Sequence, residues 1–154
     1  MEISERNFEE TIEASILEGG PDAVPDRKGL AEPPAAYGSY VPGRFRKRPF
    51  GNYDAVLCLD PDMTIAFIQA TQPKKWGELS KHHGTEVKER FLQRLSAEVT
   101  KRGVLDVLRK GIKDMGVGFE LAYLRPSSGL NPDLQRLYEA NLFTVVRQLR
   151  YSTK

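Results

Sequence analysis

The chain has 154 residues, 40% of them hydrophobic and 29% charged, with a single cysteine and a formal net charge of +2. That length supports one domain with a real core, and the composition is that of an ordinary globular protein. No apolar run reaches the length of a bilayer span, the acidic start is unlike a signal peptide, and one cysteine excludes a disulfide framework. A cytoplasmic protein without a membrane partner is expected, with Cys58, inside AVLCL, a buried free thiol.

The charge is unevenly spread. Residues 1 to 26 carry eight carboxylates against Arg6 alone, a net −7, so the remainder sums to +9. An acidic helix beside a basic body suits a protein that holds a metal ion and meets a phosphate backbone; two solvated faces explain the same charges.

In chain order, residues 1–20 predict a first helix. Asn7 followed by Glu10 resembles a capping box, Phe8, Ile12 and Ile16 recur every four residues, and Gly19-Gly20 stops the run. Glu9 and Glu13 border that apolar stripe. Residues 21–50 hold six prolines and no periodicity, which predicts a loosely packed loop or insertion that trypsin cuts first around Arg44 to Arg48. It ends in RFRKRPF, where Arg44, Arg46, Lys47 and Arg48 surround Phe45. Such a mix can grip nucleic acid, although a solvated loop is the expected state.

Residues 51–110 read as helical. PDMTIAFIQATQ is opened by Pro61 and ended by Pro73, and PKKWGELSKHHG lies between Pro73 and Gly84. The clearest helix runs from about Thr85 to Arg102, with Val87, Phe91, Leu92, Leu95 and Val99 on one face. Glu86 with Arg90, and Glu98 with Arg102, are helix-surface pairs in the favoured order. GVLDVLRKG is a further short helix.

Residues 111–154 predict strand, helix and strand. VGFELAYLRP alternates, Asn131-Pro132 opens a helix, and residues 142–151 form a second strand. Only three residues follow Tyr151, too few for a turn and a pairing strand. VGFELAYLRP is the expected neighbour on one side, which leaves the other edge open to association. The fold class expected is α+β, a helical middle on an incomplete sheet, in a single domain over 1–154.

Pro61-Asp62 with Glu86-Val87-Lys88 spells a nuclease signature in which two carboxylates bind a metal and a lysine polarises water. Those residues need extended backbone, yet Glu86 and Lys88 open a helix, where positions two apart diverge. The match is coincidental. His82-His83, at a helix end and without a completing ligand, is expected to complement the helix C-terminus rather than chelate a metal. GLAEPPAAYG lacks the Lys-Ser/Thr of a phosphate-binding loop. No complete active site is visible in the residues.

The strings FIQATQP, GVLDVLRKG, SSGLNP and RQLRYS, in this order, resemble the N-terminal region of type I restriction endonuclease R subunits. The likeness is dense over roughly residues 57 to 152, and FEETIEASIL fits that family's first helix more loosely. It implies a restriction-endonuclease-like sheet, with Mg²⁺ and ATP as cofactors of the full-length family. DNA and the methyltransferase and specificity subunits are the partners implied. In that family the strand resembling TVVRQLRYS is followed by catalytic strands bearing Asp and Glu-x-Lys, so the resemblance implies an N-terminal fragment, inactive alone and needing no cofactor. It also marks Glu9 and Glu13 as accessory metal-site candidates, for which exposed helix-start glutamates are the alternative. Gln148 and Arg150 share one strand face, either toward DNA phosphate or as sheet neighbours. A non-catalytic DNA-binding or subunit-docking module is the competing function, and a free-standing basic nucleic-acid binder a third.

Overall fold

A computed structural model of the protein describes residues 5–18 and 45–147. In chain order these form α1 (Glu5–Leu17), β1 (Phe45–Lys47), α2 (Pro61–Thr71), α3 (Pro73–His83), α4 (Val87–Arg102), α5 (Val104–Lys110), β2 (Ile112–Asp114), β3 (Val117–Phe119), α6 (Pro132–Glu139) and β4 (Phe143–Val145). The fold is α+β, as the sequence predicts. Two compact units are present. One is Gly51–Asn141, with five helices and the antiparallel pair β2–β3; the other takes α1 and the parallel pair β1–β4 from Met1–Phe50 and Leu142–Lys154.

In the Gly51–Asn141 unit, local chemistry starts and stops the helices. Asp60, in extended conformation, accepts a hydrogen bond from the Met63 N–H at 3.1 Å, and Pro61 occupies the first helical position of α2. Asn131 does the same for α6, accepting from Asp133 and Leu134 at 3.0 and 3.3 Å. A single 3₁₀ turn, Gly84–Glu86, precedes α4, so that helix begins slightly later than its pattern suggests. Its apolar stripe is buried as predicted at Val87, Phe91, Leu95 and Val99. Trp76 of α3, Phe91 of α4 and Phe119 of β3 meet edge to face, with centroids 5.2 to 6.5 Å apart. Together with Ile68, Leu79, Leu95 and Val107 they form the core.

VGFELAYLRP is a strand only over Val117–Phe119, and its partner is β2, a strand that the hydrophobic pattern did not reveal. Beyond Phe119 two buried side-chain amides replace a neighbouring strand. Gln72 donates to the Glu120 carbonyl at 2.8 Å and accepts from the Glu120 N–H at 2.9 Å. Asn141 accepts from the Tyr123 N–H at 2.8 Å and donates to the Tyr123 carbonyl at 2.6 Å. Each amide presents the donor and acceptor that a strand edge would, so the backbone is satisfied without a ladder. The turn from β2 to β3 is Met115-Gly116, both at positive φ, as a type I′ hairpin requires.

Cys58 is exposed, contrary to the expectation of a buried thiol. The Asp54 carboxylate accepts from the Val56 and Leu57 N–H groups at 2.8 and 3.0 Å and curls AVLC into a tight turn. Within that turn only Leu57 points inward; Val56 and Cys58 point out.

In the other unit, α1 is already helical at Glu5, so Asn7 lies inside the helix and does not cap it. Its carbonyl instead accepts from the Thr11 hydroxyl at 2.8 Å. Phe8, Ile12 and Ile16 are exposed, and Leu17 is the buried apolar residue of this helix. Phe45–Lys47 is a strand rather than part of a loop; residues 19–44 lie outside the described residues. β1 runs parallel to β4, with Phe45 opposite Phe143 and their rings stacked at 5.2 Å. β4's partner is therefore β1, not VGFELAYLRP, and the strand expected over 142–151 is regular over Phe143–Val145, with 148–151 outside the described residues. The pairing continues at Arg48, whose N–H donates to the Val145 carbonyl at 3.0 Å. From Phe45 to Arg48 the backbone is thus paired with β4 rather than loosely packed; Arg44 lies outside the described residues.

Gly111 joins α5 to β2 at φ 66° and ψ −170°, a region open essentially to glycine alone, and a Cβ there would overlap the Phe119 carbonyl oxygen. Gly111→Ala should lower unfolding free energy by about 3 kcal/mol in urea titration, whereas Gly118→Ala, whose Cβ meets open space, should not. Equal effects of the two would refute this account of the α5–β2 junction. Gln72→Leu keeps the side chain's size and removes both bonds to Glu120, so a loss of about 1–2 kcal/mol is expected; an unchanged midpoint would show that solvent already serves that peptide.

Candidate functional site

The acidic face of α1 meets basic residues of the strand pair. Glu9 and Glu13 lie one helical turn apart and so share a face. The Lys47 ammonium of β1 sits 2.7 Å from one Glu13 carboxylate oxygen, and Arg147, two residues past β4, places Nε 2.8 Å from the other. The same guanidinium lies 3.9 Å from Glu9 and 3.8 Å from Glu10, and Arg6 pairs with Glu10 at 3.2 Å. The Glu13 side chain is 11% exposed. The hydrogen bond from Lys47 is the largest influence holding its carboxyl below the ordinary value of 4.5, opposed by burial and reinforced by the charges of Lys47 and Arg147.

Of the residues singled out in the sequence, this arrangement brings together Glu9, Glu13 and Lys47. Arg46 is half-buried in β1, and Arg48 is held to β4 through its backbone. Arg44, Gln148 and Arg150 lie outside the described residues. Arg147 and Glu10 were not foreseen: an acidic helix calls for counter-charge, but nothing local says which basic residue at the other end of the chain supplies it. The group does not fit Mg²⁺ as it stands. Both Glu13 oxygens already accept from cations, and no cluster of His, Cys, Asp and Glu able to hold a metal occurs among the described residues.

The nuclease-like spacing of Asp62, Glu86 and Lys88 falls on helical structure, as expected. Asp62 is in the first turn of α2, Glu86 ends a 3₁₀ turn and pairs with Arg90 at 3.2 Å, and Lys88 is in α4. His82 and His83 occupy the last turn of α3. His83 also reaches the buried Asp114 of β2, with Nε2 3.2 and 3.3 Å from the two carboxylate oxygens. A carboxylate only accepts, so Nε2 carries the proton, and the bond ties α3 to the hairpin.

A second concentration of charge lies in the Gly51–Asn141 unit, on the outer side of the hairpin. Glu98, buried on α4, is held between Arg94 at 2.9 Å and Arg102 at 3.0 Å. Arg102 continues to Asp106 at 2.7 Å, and Asp106 to Lys110 at 2.7 Å. Hydrogen bonds from Arg102 and from Lys110 are the leading reasons that Glu98 and Asp106 hold their protons less tightly than usual. With this geometry in view, comparison with known proteins finds no matching family model, curated protein or solved structure.

Glu13 should make unit stability pH-dependent. Its folded pKa is depressed, so its contribution is complete above about 4.5 and is lost as pH falls through the lower folded value. The stability difference between wild type and Glu13→Gln should therefore be largest near neutrality and shrink below pH 4.5 in denaturant titrations. A difference constant from pH 7 to 3 would refute the role assigned to Lys47 and Arg147.

Proposed function

We propose that this chain is the N-terminal region of a type I restriction R subunit, carrying the start of a restriction-endonuclease-like core. One observation supports this most. Glu13, in the FEETIEASIL that resembles the family's first helix, pairs at 2.8 Å with Arg147, the first residue of the RQLRYS that resembles the strand before its catalytic hairpin. A chance likeness at opposite ends of a chain gives no reason for these two residues to pair. In this reading the partners are DNA and the methyltransferase and specificity subunits, and Mg²⁺ and ATP serve the full-length family. The ion network of α1 acts here as a positioning device that fixes the first helix on the strands.

Co-expression with the type I methyltransferase and specificity subunits of the same source organism tests the proposal. The chain should co-elute with them in gel filtration, and Glu13→Ala with Arg147→Ala should weaken that association severalfold. Separate elution of the wild-type chain would overturn the reading. Supercoiled plasmid incubated with the chain, Mg²⁺ and ATP should stay intact, because in this reading no residues of the chain match the family's catalytic Asp and Glu-x-Lys. Nicking by a preparation that persists in Glu9→Ala/Glu13→Ala would contradict that statement.

A further inference from the structure

The outer side of the β2–β3 hairpin forms, with α3, α4 and α5, an open cleft of about 400 Å³. We propose that this cleft binds phosphate esters. Five cations line it, Lys75, Arg94, Arg102, Lys110 and Lys113, against the carboxylates Glu98 and Glu120. With Asp106, which bridges Arg102 and Lys110, the balance is five positive to three negative, an excess of two. That excess matches one phosphate monoester dianion or two successive phosphodiesters.

The two arginines are held in place before any ligand arrives. Arg94 donates from Nε to the Lys113 carbonyl at 3.0 Å, and Arg102 donates from Nη1 to the Gly111 carbonyl at 3.0 Å. Guanidinium groups fixed on backbone carbonyls lose little freedom when an oxyanion binds, which favours phosphate over a weakly directional anion. Lys75 and Lys113, in contrast, are exposed and have no ion-pair partner among the described residues. They supply charge not already spent on an internal carboxylate.

The hairpin also leaves room. Ile112, Asp114, Val117 and Phe119 are buried, so the alternation of a strand turns Lys113 and its register partner Gly118 to the other side. Gly118 has no positive φ, and a Cβ there would meet nothing within 4 Å. Backbone conformation and packing therefore do not demand glycine. A bare strand position beside an unpaired lysine is where a ligand can approach the backbone closely. The apolar lining residues Ile112 and Phe119 are themselves buried, which leaves little greasy surface for an apolar ligand.

The phosphate could be free, as in a nucleotide or polyphosphate, or part of a nucleic-acid backbone, and the test separates these sources. The assignment does not rest on the restriction reading: co-elution with restriction subunits can fail while the cleft binds, and the reverse. Amide ¹H–¹⁵N spectra of the full chain would be titrated with inorganic pyrophosphate and, separately, with a 20-base-pair DNA duplex at 50 mM salt. Shifts centred on residues 111–120 are expected with at least one probe. Lys75→Glu/Lys113→Glu and, with charge unchanged, Gly118→Leu should each weaken that binding at least tenfold. Lys81→Glu/Lys88→Glu, with the same charge change outside the cleft, should leave it within twofold. Binding of pyrophosphate that competes with the duplex assigns a free phosphate ligand, and binding of the duplex alone assigns a backbone. No shift at the cleft with either probe, or equal weakening by the outside reversal, overturns the proposal; if the lysine double variant misfolds, Gly118→Leu decides it.

Discussion

The ring of Phe119 is the point on which the Gly51–Asn141 unit turns. It packs edge-on against Phe91 of α4 and Trp76 of α3, contacts worth about 0.5–1.5 kcal/mol each beyond the area they bury. Its own carbonyl lies against Gly111, where no side chain is tolerated, and the next peptide is held by the Gln72 amide. Two helices, the α5–β2 junction and the end of α2 are thereby set with respect to one short hairpin. Because the inner side of that hairpin is committed to this packing, its outer side must carry Lys113 and Gly118, and the basic cleft follows from the core rather than from a separate device.

The other unit is organised by charge more than by apolar burial. Phe8, Ile12 and Ile16 of α1 remain exposed, while its acidic face is tied to Lys47 and Arg147. A single exposed ion pair contributes little, but Glu13 is largely shielded and accepts from two cations at once. Those bonds hold the helix against a parallel strand pair of only three residues per strand, a pairing that has little strength of its own.

The two charged groups therefore differ in what they leave available. Around Glu13 each carboxylate oxygen is paired with a neighbouring cation, which suits positioning. In the hairpin cleft Glu98 and Asp106 are paired but Lys75 and Lys113 are not, and Arg94 and Arg102 are fixed on backbone carbonyls. The first arrangement stabilises; the second is poised to receive an anion. The restriction reading draws on the first and the phosphate site on the second, so they stand or fall apart.

The sequence by itself determined the helices. Pro61, Pro73 and Pro132 in first-turn positions, Asn131 as a cap, and the stripe from Val87 to Val99 are local signals, because a helix closes its hydrogen bonds within four residues. It likewise carried the Glu86–Arg90 and Glu98–Arg102 pairs and the α+β class. Tertiary structure decided what local signals do not encode. Asp54 bent AVLC into a turn, and β2 hid behind a buried Asp114 that satisfies His83 instead of continuing an apolar alternation. The extended run after Phe119 found its partners in Gln72 and Asn141, 48 and 18 residues away. β4 paired with β1, and Glu13 with Arg147, across nearly the whole chain. Each of these depends on which distant donor or charge the fold delivers to a backbone group, and that is settled only when the chain has closed on itself.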